Sequence, residues 1–145
     1  MNPQVAVIAG SKSDEAITND IVKVLTEFSV AHDVKFISAH RNREGLEKYV
    51  RDSPANVFIA VAGLSAHLPG VLASITTRPV IGVPVSVKLG GLDSLLSIVQ
   101  MPPGIPVGCV GIDNGRNGAF MAIAILALED KTLGDRLKAY RETMK

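Results

Sequence analysis

Val5-Ala-Val-Ile-Ala-Gly-Ser-Lys-Ser-Asp14 is the stretch that decides the fold. The unbroken apolar run Val5–Ala9 is the pattern of a strand buried on both faces. It stops at Gly10, and after the small polar residues behind it the period changes. Ile17, Ile21, Val24, Leu25 and Phe28 fall at i, i+4, i+7, i+8 and i+11, one stripe of a helix. Ser13 or Asp14 stands where that helix needs a cap. A buried strand that turns through a short polar loop into an amphipathic helix opens a parallel α/β fold.

The rest of the chain repeats this grammar. Val34–Ile37 reads as a second strand, and Leu46, Tyr49 and Val50 mark a short helix that ends before Pro54. Val57–Ala62 is a third strand. Pro69, acceptable in a first helical turn, opens a helix carrying Val71, Leu72 and Ile75. Val80–Val83 is followed by a glycine-rich loop and a helix near Leu92–Gln100. Val107–Gly111 makes a fifth strand, and Asn117–Leu128 and Thr132–Met144 are the last helices. No repeat or linker interrupts the series, so residues 1–145 read as a single domain. Strands alternating with helices through short connections predict right-handed crossovers and a parallel sheet with helices on both faces. The expected architecture is a three-layer, flavodoxin-like α/β sandwich. Helix Asn117–Leu128 is apolar nearly all round, more than one small domain can cover, which predicts contacts between subunits.

Bulk composition excludes several classes. Hydrophobic residues make up 47% of the chain and charged residues 20%, a globular balance. The net charge is +1 with the cations spread along the chain, which leaves no broad field for nucleic acid or an anionic membrane. The longest apolar run, Ala119–Leu128, is too short to span a bilayer. Val5–Ala9 is too short, and its flank too uncharged, for a signal peptide. Cys109 is the only cysteine, so neither an internal disulfide nor a cysteine metal cluster can form, and it reads as an inert residue of an apolar strand. A reducing, cytoplasmic setting is the expectation.

Chemistry concentrates where such a sheet binds ligands, beyond the carboxyl ends of its strands. Gly10-Ser11-Lys12-Ser13-Asp14 follows strand one, and Ser38-Ala39-His40-Arg41 follows strand two. Gly63-Leu64-Ser65-Ala66-His67-Leu68-Pro69-Gly70 follows strand three, and Val87–Asp93 follows strand four. The first segment offers hydroxyls and free N–H groups at a helix start, where an anion is stabilised. It lacks the glycines of a Walker A or dinucleotide-binding loop. Asp14 would repel a phosphate and suits ribose hydroxyls or capping. His40 pairs a titratable imidazole with the fixed cation of Arg41, a proton carrier beside a bidentate anion grip. By pattern alone His40 reads more readily as a loop histidine bonded to backbone, and His67 reads equally well as a histidine fixing its glycine-proline loop or as a functional one. His32, at a strand start, is expected to face solvent without partners. A flavin carrier of this fold would stack aromatics on its ring, but the chain has no Trp and only two Tyr. A phospho-receiver would need an acidic cluster that is absent here.

Taken together, Gly10–Asp14, Ser38–Arg41, Ala66–Gly70, Gly82–Val85 and Gly91–Pro102 resemble the phosphoribosylaminoimidazole carboxylase catalytic subunit family, which includes N5-carboxyaminoimidazole ribonucleotide mutases. The resemblance runs nearly end to end, with five motifs in order. It implies the flavodoxin-like fold, a homo-octamer, no metal or organic cofactor, and an aminoimidazole ribonucleotide-type substrate. It implies catalysis by His40, with His67 lining the same pocket. Substrate binding falls to Gly10, Ser11, Ser13, Asp14, Ser38, Ala39, Arg41, Gly63, Ala66 and Leu68. Arg41 after the histidine and the Ala66–Gly70 loop resemble the branch that moves a carboxyl group from N5 to C4. The other branch takes carbon dioxide directly, and a non-catalytic nucleotide-binding module is a remote alternative. Asp113-Asn-Gly-Arg-Asn117 departs from the small-residue stretch usual before the late helix, and Gly63-Leu-Ser65 departs from the usual glycine-alanine run.

Overall fold

The computed structural model describes residues 1–145. Its elements in chain order are β1 (Val5–Ala9), α1 (Glu15–Glu27), β2 (His32–Phe36), α2 (Arg43–Asp52), β3 (Val57–Gly63), α3 (Leu68–Ile75), β4 (Val80–Val85), α4 (Leu92–Val99), β5 (Gly108–Cys109), α5 (Gly115–Leu126) and α6 (Lys131–Glu142). All strands are parallel, in the order β2-β1-β3-β4-β5. The strand sequence reverses direction between β1 and β3, which makes their carboxyl ends a topological switch point. The three-layer sandwich expected from the sequence is the observed fold.

The alternation of side chains along the strands divides the core in two. Val5, Val7, Ala9, Ile59 and Val83 pack with Ile21, Leu25, Ala119 and Ile123 under α1, α5 and α6. Ala6, Ile8, Phe58 and Ala60 pack with Leu46, Leu72 and Ile98 under α2, α3 and α4. β1 and β3 are apolar at every position because both of their faces are covered.

Several boundaries differ from the sequence reading. β2 starts at His32, two residues early, and His32 is half-buried, with its Nδ1–H donating to the Val30 carbonyl at 2.8 Å. It is neither solvent-facing nor without a partner. β5 shrinks to Gly108–Cys109, for a reason found in its neighbour. Gly82 and Pro84 both turn their carbonyls toward this segment, accepting from Val110 at 3.2 Å and Asp113 at 2.8 Å. The nitrogen of Pro84 therefore faces the same side, and it has no hydrogen to continue the ladder. Cys109 is half-buried, and that burial pushes its thiol pKa up. α5 begins at Gly115, before Asn117. Gly115 lets α5 approach α1, since a Cβ there would come within 2.7 Å of the Ile17 carbonyl. The Asn114 side chain caps α5 by accepting from Asn117 N.

α5 finds most of its cover within the chain, burying Gly118, Ala119, Ala122, Ile123 and Leu126. Met121 of α5 stays 47% exposed and Leu128 just beyond it 82%, and a further outward apolar stripe lies on α4, where Leu92, Leu96 and Val99 stay between 42% and 53% exposed. No helix is long and apolar enough to cross a membrane.

Candidate active site

At the switch point the loops after β1, β2, β3 and β4 meet around a cleft of about 220 Å³. All twelve residues singled out from the sequence line it, from Gly10 and Ser11 on one rim to Ala66, His67 and Leu68 on the other. Four further residues, Ala62, Leu64, Ser65 and Val87, complete the lining. Leu64 and Ser65 lay inside the quoted loop, but nothing in their chemistry marked them. The volume is below the roughly 300–1,000 Å³ of sites that enclose a whole small ligand. A nucleotide-sized ligand would therefore reach out of it, past the exposed Arg41.

The first rim is a tight turn. Ser11 is extended, and its hydroxyl accepts from Ser13 N at 3.2 Å and from the Ser13 hydroxyl at 3.0 Å. Ser11 thus caps the short 3₁₀ turn Lys12–Asp14, and neither Ser13 nor Asp14 caps α1 through its side chain. The Asp14 side chain stays unpaired within the chain while only 7% of the residue is exposed, and burial raises its carboxyl pKa. A ligand hydroxyl that donates to this carboxylate would relieve that cost.

The second rim is built by Ser38. Its hydroxyl accepts from Arg41 N at 3.2 Å and its carbonyl accepts from Asn42 N at 2.9 Å, closing the turn that carries His40. The Asn42 side chain then caps α2 by accepting from Gly45 N. Arg41 has no salt-bridge partner, and its guanidinium makes no hydrogen bond within the chain, so a cation stands free at the mouth.

The third rim brings the second histidine. Leu64 takes a left-handed backbone (φ 55°) that lets the chain double back, with Ala66 N and His67 N donating to the Leu64 and Ser65 carbonyls. His67 precedes α3, which has Pro69 in its first turn. His40 Nε2 lies 2.6 Å from His67 Nδ1, with the rings edge to face at 82°. One nitrogen must donate and the other accept, so a single proton occupies the contact. Two N–H groups there would face each other, which limits the intact pair to one positive charge. Nowhere in the chain do three or more His, Cys or carboxylate side chains gather as a metal would require.

Comparison with known proteins agrees with this geometry. The family described as AIR carboxylase matches residues 4–145. The chain is 57% identical over 141 residues to the N5-carboxyaminoimidazole ribonucleotide mutase of Methanocaldococcus jannaschii, covering 97% of this chain and 90% of that protein. It is 52% identical to the mutase of the same name from Pyrococcus abyssi, across 99% of this chain and 84% of the relative. Among solved structures, that of Treponema denticola PurE2-S38D superposes with a TM-score of 0.88 at 29% identity, covering 99% of this chain and 91% of its own. The matched span, the sheet order and the cleft at the switch point all agree: this chain belongs to the AIR carboxylase family.

Proposed function

We propose that this protein is an N5-carboxyaminoimidazole ribonucleotide mutase of purine biosynthesis. It acts through one catalytic domain and moves the substrate's carboxyl group from N5 to ring carbon C4. The observation that carries the proposal is the His40–His67 contact across the rims of a cleft whose mouth holds an unpaired arginine. Mutase relatives at 52% and 57% identity support it over the direct carboxylase.

The chemistry fits these residue types. Protonated His40 gives its proton to N5 of the substrate carbamate, the N–C bond breaks and carbon dioxide leaves. C4 then attacks the carbon dioxide, and neutral His40 takes the C4 proton as the ring regains aromaticity. One proton goes out and one returns, so a single acid/base group serves both halves and the balance closes without an oxidant or a cofactor. His67 holds the His40 ring in place through the 2.6 Å contact between them. Ser11, Ser13 and Arg41 suit the phosphate, and Asp14 suits the ribose hydroxyls. Ala62, Leu64, Ala66, Leu68 and Val87 give the wall the apolar character that retains a small gas and excludes water.

The test supplies labelled bicarbonate with unlabelled N5-carboxyaminoimidazole ribonucleotide. A mutase keeps the unlabelled carboxyl through most turnovers. Rapid label entry, with efficient carboxylation of free aminoimidazole ribonucleotide at low bicarbonate, would transfer the protein to the direct-carboxylase branch.

The protein works in the cytoplasm, a setting that its single cysteine suits, as a homo-oligomer that covers the α4 stripe. Leu96→Glu should lower the mass seen by light scattering at micromolar concentration. A wild-type monomer under those conditions would remove this part of the reading.

A further inference from the structure

The divergent segment before α5 has no place in the proposed chemistry, yet it grips the loop that follows β4. On the side facing β5, β4 presents Gly82, Pro84 and then Ser86. Val110 N and Asp113 N bond the carbonyls of the first two, and the Asp113 carboxylate accepts from Ser86 N at 2.8 Å. The side chain of Asp113 therefore continues a ladder that Pro84 interrupts. Asp113 sits at φ 58°, a left-handed conformation that aspartate tolerates better than most residues. Its neighbour Ile112 holds the other end of the loop. A Cβ on Gly91 would come within 2.6 Å of Ile112 Cγ2, so the two pack with no room to spare. The fully buried Ser94 hydroxyl reaches the Val85 and Gly91 carbonyls from below, at 2.8 and 2.9 Å.

Between these grips the loop has little to hold it. Leu89, Gly90 and Gly91 are all left-handed, at φ 49°, 63° and 83°, and the Leu89 side chain stands in solvent. Yet the loop delivers Val87 to the cleft. Val87 packs over the bare backbone of Gly63, where a Cβ would meet its Cγ2 at 2.7 Å, on the same lining as His40 and His67.

We infer that Asp113 is a positioning residue that fixes Val87 over the apolar wall of the cleft and so sets how much released carbon dioxide is recaptured. This rests on the mutase reading. A carbon dioxide molecule freed at N5 either adds to C4 or escapes past the loop, leaving free aminoimidazole ribonucleotide. The latch governs that partition without touching the proton transfers at His40.

The test measures free aminoimidazole ribonucleotide released per C4-carboxylated product, corrected for spontaneous loss, in wild type, Asp113→Gly, Asp113→Asn and Val87→Ala. Glycine keeps the left-handed backbone and removes the acceptor, while asparagine keeps both backbone tolerance and an acceptor oxygen. Asp113→Gly should raise the escaped fraction about fivefold, the scale one lost hydrogen bond permits. Its KM should stay near that of wild type, and exchange of the Ser86 amide proton should speed up. Asp113→Asn should restore the wild-type partition, and Val87→Ala should leak like Asp113→Gly.

An unchanged partition in Asp113→Gly or in Val87→Ala overturns the inference, as does an Asp113→Asn that leaks like the glycine variant. Should Asp113→Gly fail to fold, Asp113→Asn and Val87→Ala still decide. A wild-type protein that makes no C4-carboxylated product at all would sink the mutase reading itself, a separate outcome.

Discussion

Replacing His40 with asparagine is expected to cut turnover by about a thousandfold, inside the range of roughly 10²–10⁴ for losing a positioned acid/base. Ribonucleotide binding should stay within a few-fold of wild type. Two features separate the effects. His40 is exposed and its side chain bonds only His67, so the fold has little to lose. The groups suited to phosphate and ribose lie on other atoms, at Ser11, Asp14 and Arg41. Asparagine can still meet His67 through its amide, but it carries no exchangeable charge near neutral pH. Both proton steps fail together, because one group performs both. The measurement pairs product formation with a ligand-induced melting shift. Near-normal turnover, or a variant that no longer shifts with ligand, would remove His40 from the proposed role.

The switch-point site was legible in sequence because its loops begin at strand ends, two of which, after Val5–Ala9 and Val57–Ala62, close fully apolar strands. Val5–Ala9 and Val57–Ala62 cannot be half-exposed strands, so a two-sided parallel sheet and its carboxyl-end loops follow from them alone. Ser38–Arg41 and Gly63–Leu68 then had to meet Gly10–Asp14. The 2.6 Å approach of His40 to His67 was not legible, since the residues lie 27 positions apart and their contact depends on two turns. The turns are set by the Ser38 hydroxyl and by the left-handed Leu64, neither of which has a pattern to announce it. The start of α5 at Gly115 was not legible, because a glycine that admits a neighbouring backbone looks the same in sequence as one that ends a helix. β5 was read too long because the hydrogen missing from Pro84 lies on another strand. Only the register of β4 with β5 reveals which side it faces.

Arg78 illustrates the part of stability that sequence conceals, and removing it should produce the largest loss outside the site. α2 ends just before Pro54, which has no N–H to give the carbonyl of Val50 four residues earlier. That acceptor would be left empty, and Arg78, on the connection between α3 and β4, fills it at 2.6 Å. The same guanidinium donates to the carbonyls of Ser53 and Ala55 at 2.7 Å each and to the Thr76 hydroxyl at 3.1 Å, and it lies over the Phe58 ring at 4.6 Å. One side chain thus ties the end of α2 and the entry to β3 to the entry of β4. Arg78→Met keeps the apolar stem and strands three carbonyls, at a cost of about 3 kcal/mol given the worth of hydrogen bonds from a charged donor. For a chain of this length that corresponds to a fall in Tm on the order of 10 °C. Arg78→Lys should recover little of it, because a single ammonium cannot reproduce the planar fork that reaches carbonyls on three residues. Arg78 sits at the amino end of β4, whereas the cleft lies beyond the carboxyl ends of the strands. Well below its melting temperature, Arg78→Met should therefore keep the KM and turnover of the wild type. A variant that melts normally would refute the staple, and one that melts early and also loses turnover when folded would couple the two ends of the sheet.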